Sequence, residues 1–462
     1  MLDFFLKTCY IAGMNDKLKK IILLLGDIGV LYLSLYITLI IRYQSLPNVQ
    51  TWQSHITPFS IIFFVWIVVF FIANLYNLHL AVNNSKFIVT SIRSMLVAGL
   101  LSVVFFYTNP NLPITPKTNL IIFLIISILF FLLWRRAFNW VLGAYLPKNK
   151  IAFIGYNEQI KELIKIFNEK PHLGYIPSLV ISKNKIDEKI FHEKNTYKLS
   201  KLIKEKNINT VILADDPHQS HAIRSSLFSC LHLNINLFSL PNFYEVITGK
   251  IPLDAINQMW FLENLNKGTK TFFNIFKRVS DIALALIILF LTLPFWLIII
   301  IIIKYESPGS IFYFSRRSGK NKKIFNLIKF RTMRENGNNH AYTKKNDPRI
   351  TKFGVFMRKT RIDEIPQVIN ILRGEISFVG PRPERPELII NLEKEIPFYN
   401  ERMLVKPGLS GWAQIAEYHS PTVEDTIKKL QYDLFYVKNK SIYLDLVIML
   451  KTILMIAKGG GR

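Results

Sequence analysis

At 462 residues the chain has room for about three domains, and with half its residues hydrophobic and a mean hydropathy of +0.25 it is too apolar for an ordinary soluble protein. Fifty-eight Lys and Arg against 32 Asp and Glu leave a net charge of +26, which requires an anionic partner such as acidic lipid headgroups or phosphorylated substrates. Nucleic acid is the weakest candidate for that partner, and none is expected: no recognisable nucleic-acid motif is present, and the basic residues lie beside apolar runs. Cys9 and Cys230 stand far apart without CxxC spacing, which argues against disulfides and zinc and for a reducing compartment.

The N-terminal segment lacks the small-residue pattern of a cleaved signal and reads as a retained membrane anchor. Four apolar runs follow, 21–41, 58–73, 94–107 and 120–134, each long enough with its flanks for a tilted spanning helix. They predict a four-span helical bundle over residues 1–148. Lys17, Lys19 and Lys20 precede the first run, Lys86 and Arg93 separate the second from the third, and Arg135, Arg136, Lys148 and Lys150 follow the fourth. The alternate loops hold only Arg42 and Lys117, so the positive-inside bias places both ends of the bundle in the cytoplasm. Asp27, inside the first run, is expected to face a neighbouring helix.

From Lys150 short apolar strands alternate with polar helical stretches. Residues 151–155, 178–182 and 210–215 read as strands, and an amphipathic helix runs to Phe167. This predicts a small parallel, Rossmann-like α/β domain over 149–255. Gly155 is followed by Tyr-Asn-Glu-Gln-Ile, without the further glycines of a dinucleotide fingerprint, so a structural or regulatory domain is expected.

The run 282–303 carries no charge and is long enough to span, yet a heavily basic segment (Arg316, Arg317, Lys320, Lys322, Lys323) lies beyond it, and Pro294 sits in its middle. Crossing would carry that segment outside, against the charge bias, and proline removes a helical hydrogen bond. A broken, re-entrant helix over 275–303, opening an α/β catalytic domain 256–462, satisfies both facts. Near the C-terminus, 441–458 is apolar but interrupted by Asp445 and Lys451, as expected of an amphipathic helix in the headgroup plane.

The chemistry concentrates at Asp363 and Glu364. These adjacent carboxylates are ringed by Arg358, Lys359, Arg361, Arg373, Arg382 and Arg385, with Lys329 and Arg331 upstream. So many cations around one acidic pair suit a polyanion site that also holds a nucleophile or a metal ligand, and a phosphoanhydride fits. A solvated, salt-bridged surface is the bland alternative.

The block Asp363-Glu-Ile-Pro-Gln-Val-Ile-Asn-Ile-Leu-Arg-Gly-Glu-Ile-Ser-Phe-Val-Gly-Pro-Arg-Pro resembles the signature of bacterial polyprenyl-phosphate sugar-1-phosphate transferases, the monotopic phosphoglycosyl transferases. Lys277-Arg-Val-Ser-Asp281, Ser307-Pro-Gly, Arg317-Ser-Gly319, Lys329-Phe-Arg-Thr-Met333 and Lys406-Pro-Gly-Leu-Ser-Gly-Trp-Ala-Gln414 agree in order and spacing, so the resemblance runs from about Lys277 to the C-terminus. Pro383-Glu-Arg-Pro-Glu387, Tyr399-Asn-Glu-Arg402 and Leu430-Gln-Tyr-Asp433 look most like the exopolysaccharide branch of the large members. Ser310, Ser315 and Ile365 depart from residues common in the family, and the Ser315 change puts one substrate contact in question.

The resemblance implies transfer of a sugar-1-phosphate from a UDP-sugar to undecaprenyl phosphate, with release of UMP, as the first membrane step of exopolysaccharide, capsule or O-antigen assembly. It implies Asp363 as nucleophile, forming a covalent phosphosugar intermediate, and Mg²⁺ bridging Asp363 and the diphosphate. Glu364 would orient the metal or handle charge and protons. Lys329, Arg331, Arg358 and Arg382 would contact the diphosphate, while Lys277, Arg278 and Asp281 would set membrane depth and brace the fold. It further implies a multi-pass protein of the bacterial inner membrane with its catalytic domain facing the cytoplasm, and it is compatible with a homodimer. The alternative is a catalytically inactive membrane scaffold or regulator of polysaccharide assembly.

Overall fold

The computed structural model describes residues 16–73, 75–76, 85–109, 117–145, 149–170, 173–182, 190–214, 220–233, 235–265, 271–334, 347–416 and 422–457. Cys9, Lys148, Asp215 and Lys458, which entered the sequence reading, lie outside the described residues. The chain divides into two compact units, 1–243 and 244–462.

The first unit opens with four helices, α1 Asp16–Tyr43, α2 Val49–Ile72, α3 Ser85–Thr108 and α4 Lys117–Tyr145, all long and apolar enough to cross a membrane. Their outward faces are apolar: Leu25, Phe64, Leu100 and Ile125 are each more than 60% exposed. Inside, Phe59, Trp66, Phe123 and Phe131 interlock, and the buried Trp66 indole donates to Ser102 Oγ at 2.9 Å. Bare apolar surface around a packed core marks helices whose surroundings are lipid rather than water. Asp27 does face a neighbouring helix, because its Oδ2 accepts from Arg135 Nη2 at 2.6 Å.

Arg135 therefore is not one of the loop cations that the charge bias counts. It lies within α4, 1% exposed, with Nη1 donating to the Leu75 carbonyl at 2.7 Å. A charge inside a bundle is tolerated when paired, and Arg135 is the available partner for Asp27. Replacing Arg135 by Met should strip that partner and cost about 3 kcal/mol, the scale for an acidic residue at a helix centre. Thermal unfolding in detergent would show a lowered midpoint, restored in part by adding Asp27→Asn.

The same unit carries a five-stranded sheet of β1 Asn149–Ile154, β2 Tyr175–Ile181, β3 Phe191–Glu193, β4 Thr210–Leu213 and β5 Asn236–Ser239, in the order β3-β2-β1-β4-β5 with every pairing parallel. The three strands read from sequence are its centre, since strands covered on both faces are continuously apolar. Residues 151–154 are at most 1% exposed. The flanking β3 and β5 are short and mixed in polarity, so no period marks them. Asn157 caps the helix Glu158–Glu169, accepting from Ile160 N at 3.0 Å.

The second unit is built on one long helix, Thr271–Glu306. Sequence predicts a break at Pro294, but the helix runs on through it, since a proline removes only one donor from a long hydrogen-bonded ladder. Just before it, Thr292 Oγ1 donates to the Ile288 carbonyl at 2.7 Å, a back-bond that favours bending. Asp281, Ala285, Trp296, Ile299 and Ile303 turn inward along its length, while Leu286, Phe290, Leu293, Leu297 and Ile301 form a bare stripe, 52–81% exposed.

Against the inward face pack an antiparallel hairpin, β6 Phe312–Ser318 with β7 Ile324–Phe330, and the helices Lys352–Thr360 and Gln367–Arg373. The expected bracing by Lys277, Arg278 and Asp281 is realised. Arg278 donates to the Ile371 and Leu372 carbonyls, Asp281 accepts from Ser377 Oγ and Phe378 N, and Lys277 meets Asp445 Oδ2 at 2.5 Å.

Two expectations for the C-terminal part change. The glycines of Lys406-Pro-Gly-Leu-Ser-Gly suggest tight turns, yet they form β9 Gly408–Ser410, parallel to β8 Ser377–Val379. A Cβ on Gly408 would stand 2.0 Å from Gly380 N, so glycine is needed for backbone approach. In the helix Ile442–Ala457, Asp445 points inward, 8% exposed and bonded to Lys277 and Tyr436, while Tyr443 and Ile453 face out. Asp445 therefore does not lie on an outward polar face. Trp412 belongs to the core: its Nε1 donates to the Gly249 carbonyl at 3.1 Å and its ring stacks on Phe435.

Candidate active site

Asp363 and Glu364 lie in a 3-10 turn, Ile362–Glu364, between the helices Lys352–Thr360 and Gln367–Arg373. Arg361 adopts a left-handed conformation (φ 61°) that ends the first helix and swings the chain into the turn. Both carboxylates are thereby tucked inward, 7% and 9% exposed, which rules out the bland solvated surface.

Their electrostatics differ. Glu364 Oε1 accepts from Lys329 Nζ at 2.7 Å, with Arg382 Nη2 at 3.4 Å and Arg361 Nη1 at 3.6 Å. Burial alone would raise its pKa, but Lys329 and then Arg382 outweigh that and hold it at about 2. Asp363 is the reverse case. Burial pushes its carboxyl above the usual range, the Glu364 charge adds to that, and Lys329, Arg358 and Arg361 offset only part. Among the described residues its buried Oδ1 has no hydrogen-bond partner. One carboxylate is locked in an ion-pair cluster; the other is held beside it with an oxygen to spare. That pairing of unlike environments is how a site separates the roles of two acids.

Each surrounding cation has a structural support. Lys329 is on β7, which is tied to the helix Gln367–Arg373 by the fully buried Asn370: its Oδ1 accepts from Ile328 N and its Nδ2 donates to the Asn326 carbonyl. Arg358 donates Nε to Thr332 Oγ1 at 2.8 Å and lies in the field of Asp363. Arg382 follows the glycine contact of β8 with β9, and its backbone carbonyl accepts from Arg402 Nη2 at 2.9 Å. Arg331 is placed otherwise: buried, it donates to the Ser307 and Pro308 carbonyls and ties the end of β7 to the turn after the long helix.

Arg361, Arg402 and Asp433 were not singled out by sequence reasoning as site residues. Arg361 was visible in the row of cations. Arg402 and Asp433 meet at 2.7 Å across 31 residues, and nothing local pairs them.

The raised Asp363 carboxyl has a pH consequence. If Asp363 is the nucleophile expected from the sequence, its protonation would stop the reaction, and activity should fall as pH drops through a value above the ordinary carboxylate range near 4. In Glu364→Gln the neighbouring negative charge is gone, and the acid limb of kcat/KM should move to lower pH even if the rate is reduced.

The family model described as bacterial sugar transferase matches residues 272–459. The chain is 36% identical over 237 residues to the UDP-N-acetylgalactosamine-undecaprenyl-phosphate N-acetylgalactosaminephosphotransferase of Aeromonas hydrophila, covering 51% of this chain and 55% of that protein. It is 30% identical over 313 residues to the UDP-glucose:undecaprenyl-phosphate glucose-1-phosphate transferase of Klebsiella pneumoniae, covering 66% and 67%. It is 37% identical over 187 residues to the exopolysaccharide production protein PSS of Rhizobium leguminosarum bv. phaseoli, covering 39% of this chain and 94% of that one. The matches span about half the length of the first two curated relatives, 55% and 41%.

Proposed function

Since the chain belongs to the bacterial sugar transferase family, we propose that it moves a sugar-1-phosphate from a UDP-sugar to undecaprenyl phosphate, releasing UMP, in the assembly of an exopolysaccharide, capsule or O-antigen. The observation that carries this reading is Asp363: a buried carboxylate with an unpartnered oxygen, set among Lys329, Arg358 and Arg361.

In the first step an Asp363 oxygen attacks the sugar-bearing phosphorus, the bond to the bridging oxygen breaks, and UMP departs with that oxygen. Asp363 is left as a mixed anhydride with the phosphosugar. In the second step a phosphate oxygen of undecaprenyl phosphate attacks the same phosphorus, and the Asp363 carboxylate is regenerated. Lys329, Arg358 and Arg382 spread the charge of the diphosphate, and Glu364 holds Lys329 and Arg382 in place. Arg331 supports the site through the 307–308 turn.

Mg²⁺ fits the donors present. Among the described residues no three His, Cys, Asp or Glu form a metal cage, and Mg²⁺ characteristically takes one or two carboxylates with substrate phosphates and waters. Asp363 would hold it, and it would neutralise charge on the diphosphate.

In the same reading, α1–α4 are four spans of the bacterial inner membrane with both ends cytoplasmic, over residues 1–148. Residues 149–255 are a Rossmann-like domain, and 256–462 are the catalytic domain, facing the cytoplasm. The long helix is monotopic rather than spanning. Support comes from its inward face, which meets one compact unit from Asp281 to Ile303, whereas the middle of a spanning helix would stand clear of a water-soluble domain. A homodimer suits the layout.

The test is nucleotide release by the full chain in nanodiscs with Mg²⁺, undecaprenyl phosphate and a panel of UDP-sugars. UMP appearing with one donor is expected. UDP in place of UMP would mean ordinary glycosyl transfer and would remove the role given to Asp363.

A further inference from the structure

Three of the cations around the acidic pair, Lys329, Arg361 and Arg382, lean on Glu364. Arg358 does not. Its Nε donates to Thr332 Oγ1 at 2.8 Å, and among the described residues neither of its Nη groups is hydrogen-bonded or ion-paired. Asp363 lies close enough for its charge to be felt at Arg358, yet among the described residues Asp363 Oδ1 has no hydrogen-bond partner. A guanidinium and a carboxylate so placed ordinarily close into a direct pair. Here they stay apart, and the bond from Nε to Thr332 is the restraint on the guanidinium.

Thr332 is itself firmly held. It stands two residues beyond β7 and is 7% exposed. The backbone around it is bridged to the chain that enters the helix Lys352–Thr360: Met333 pairs antiparallel with Ile350, and the Thr332 carbonyl accepts from Thr351 N at 3.1 Å. A Cβ at Gly354 would stand 2.3 Å from the Thr332 carbonyl oxygen, so glycine is what lets the helix sit this close. Arg358 comes four residues later, one turn along the same helix face, and so returns to the Thr332 side chain. The helix touches Thr332 twice, by backbone at Gly354 and by side chain at Arg358. A β-branched side chain is stiff at χ1, which fixes Oγ1 together with its backbone.

We propose that Thr332 is a positioning residue for the transfer reaction: by holding Arg358 at Nε, it keeps the guanidinium off Asp363 and leaves both Nη groups for the donor diphosphate. The proposal rests on the transferase reading above. Without the hydroxyl, Nε loses its acceptor and the guanidinium swings onto Asp363 Oδ1. The spare oxygen and the phosphate contact are then lost together.

Two measurements on the full chain in nanodiscs test this. The first is a double-mutant cycle on UMP release. Thr332→Val, of the same shape without the hydroxyl, should lower kcat/KM roughly 10–100-fold, the factor for one hydrogen bond to a charged group. Thr332→Ser should restore most of it, which separates the lost hydroxyl from a damaged fold. In an Arg358→Gln background Thr332→Val should cost little more, because Thr332 acts through that side chain. Full additivity of the two changes would overturn the proposal.

The second measurement needs no turnover. Phenylglyoxal modifies free guanidinium Nη groups, and peptide mass spectrometry reads its yield at Arg358. That yield should fall in Thr332→Val and return when Asp363→Asn is added, since the amide offers no charge to pair with. Equal or greater labelling in Thr332→Val than in wild type would overturn the proposal. If no UDP-sugar gave UMP, the transferase reading would fall, while the labelling would still decide whether Thr332 holds Arg358 away from Asp363.

Discussion

Under the proposed mechanism, replacing Asp363 by Asn should lower UMP release by on the order of 10⁴-fold or more, because the carboxylate assigned as nucleophile is gone. The same change should make the protein more stable at neutral pH. Burial raises the Asp363 carboxyl in the folded state, so its contribution to stability is full below the unfolded value near 4 and is lost as pH rises through the folded value. At pH 7 the wild type carries an ionised carboxylate with one orphaned oxygen, and the amide relieves it. A higher melting temperature for Asp363→Asn at pH 7, shrinking toward pH 4, together with lost turnover, is the expected signature. Retention of most activity would end the covalent mechanism, whereas lost activity with a lower melting temperature would indicate damage to the fold.

The largest stability effect should come from Arg402, which is distant in sequence from the nucleophile. Its Nε and Nη2 meet Asp433 at 3.0 and 2.7 Å, Nη1 meets Tyr399 Oη at 3.0 Å, and Nη2 also reaches the Arg382 carbonyl. Arg402 and Asp433 are 8% and 2% exposed. Arg402→Met would leave the Asp433 charge buried and alone, at a cost of about 3–5 kcal/mol. For a unit of this size that lowers the melting temperature by roughly 10 °C. Adding Asp433→Leu should recover much of the loss, since an apolar pair of similar volume replaces buried charges without great penalty. Donor KM should stay raised in both variants, because Arg382 has lost its backbone support. If the double variant were no more stable than the single one, the uncompensated charge would not be the cause.

The two carboxylates also show how far residue type alone can go. Asp363 and Glu364 are neighbours of like charge, and adjacency in sequence says nothing about which is the free one. The distinction arises because β7 delivers Lys329 to Glu364 and the β8–β9 contact delivers Arg382 to it, leaving Asp363 with burial as its dominant influence. Arg331 and Arg358 stand in the same cationic company in sequence, yet one braces a turn and the other lies in the field of Asp363.

What the amino-acid order determined by itself were the features written in local periodicity and in dense short motifs. Four apolar runs specify α1–α4 because about twenty apolar residues match a bilayer. Short apolar runs at 151–154, 179–181 and 211–213 specify β1, β2 and β4, because strand segments covered on both faces need no polar side. The Asp363–Pro383 block and its ordered companions specified the family and the acidic pair. Only the tertiary structure decided that Arg135 answers Asp27, that the long helix continues through Pro294, that Gly408 serves close approach rather than a turn, that Asp445 points inward, and that Arg402 finds Asp433. Each depends on a partner tens of residues away or on the local course of a backbone. Spacing along a chain encodes period, while the pairing of distant charges is set by how the elements pack.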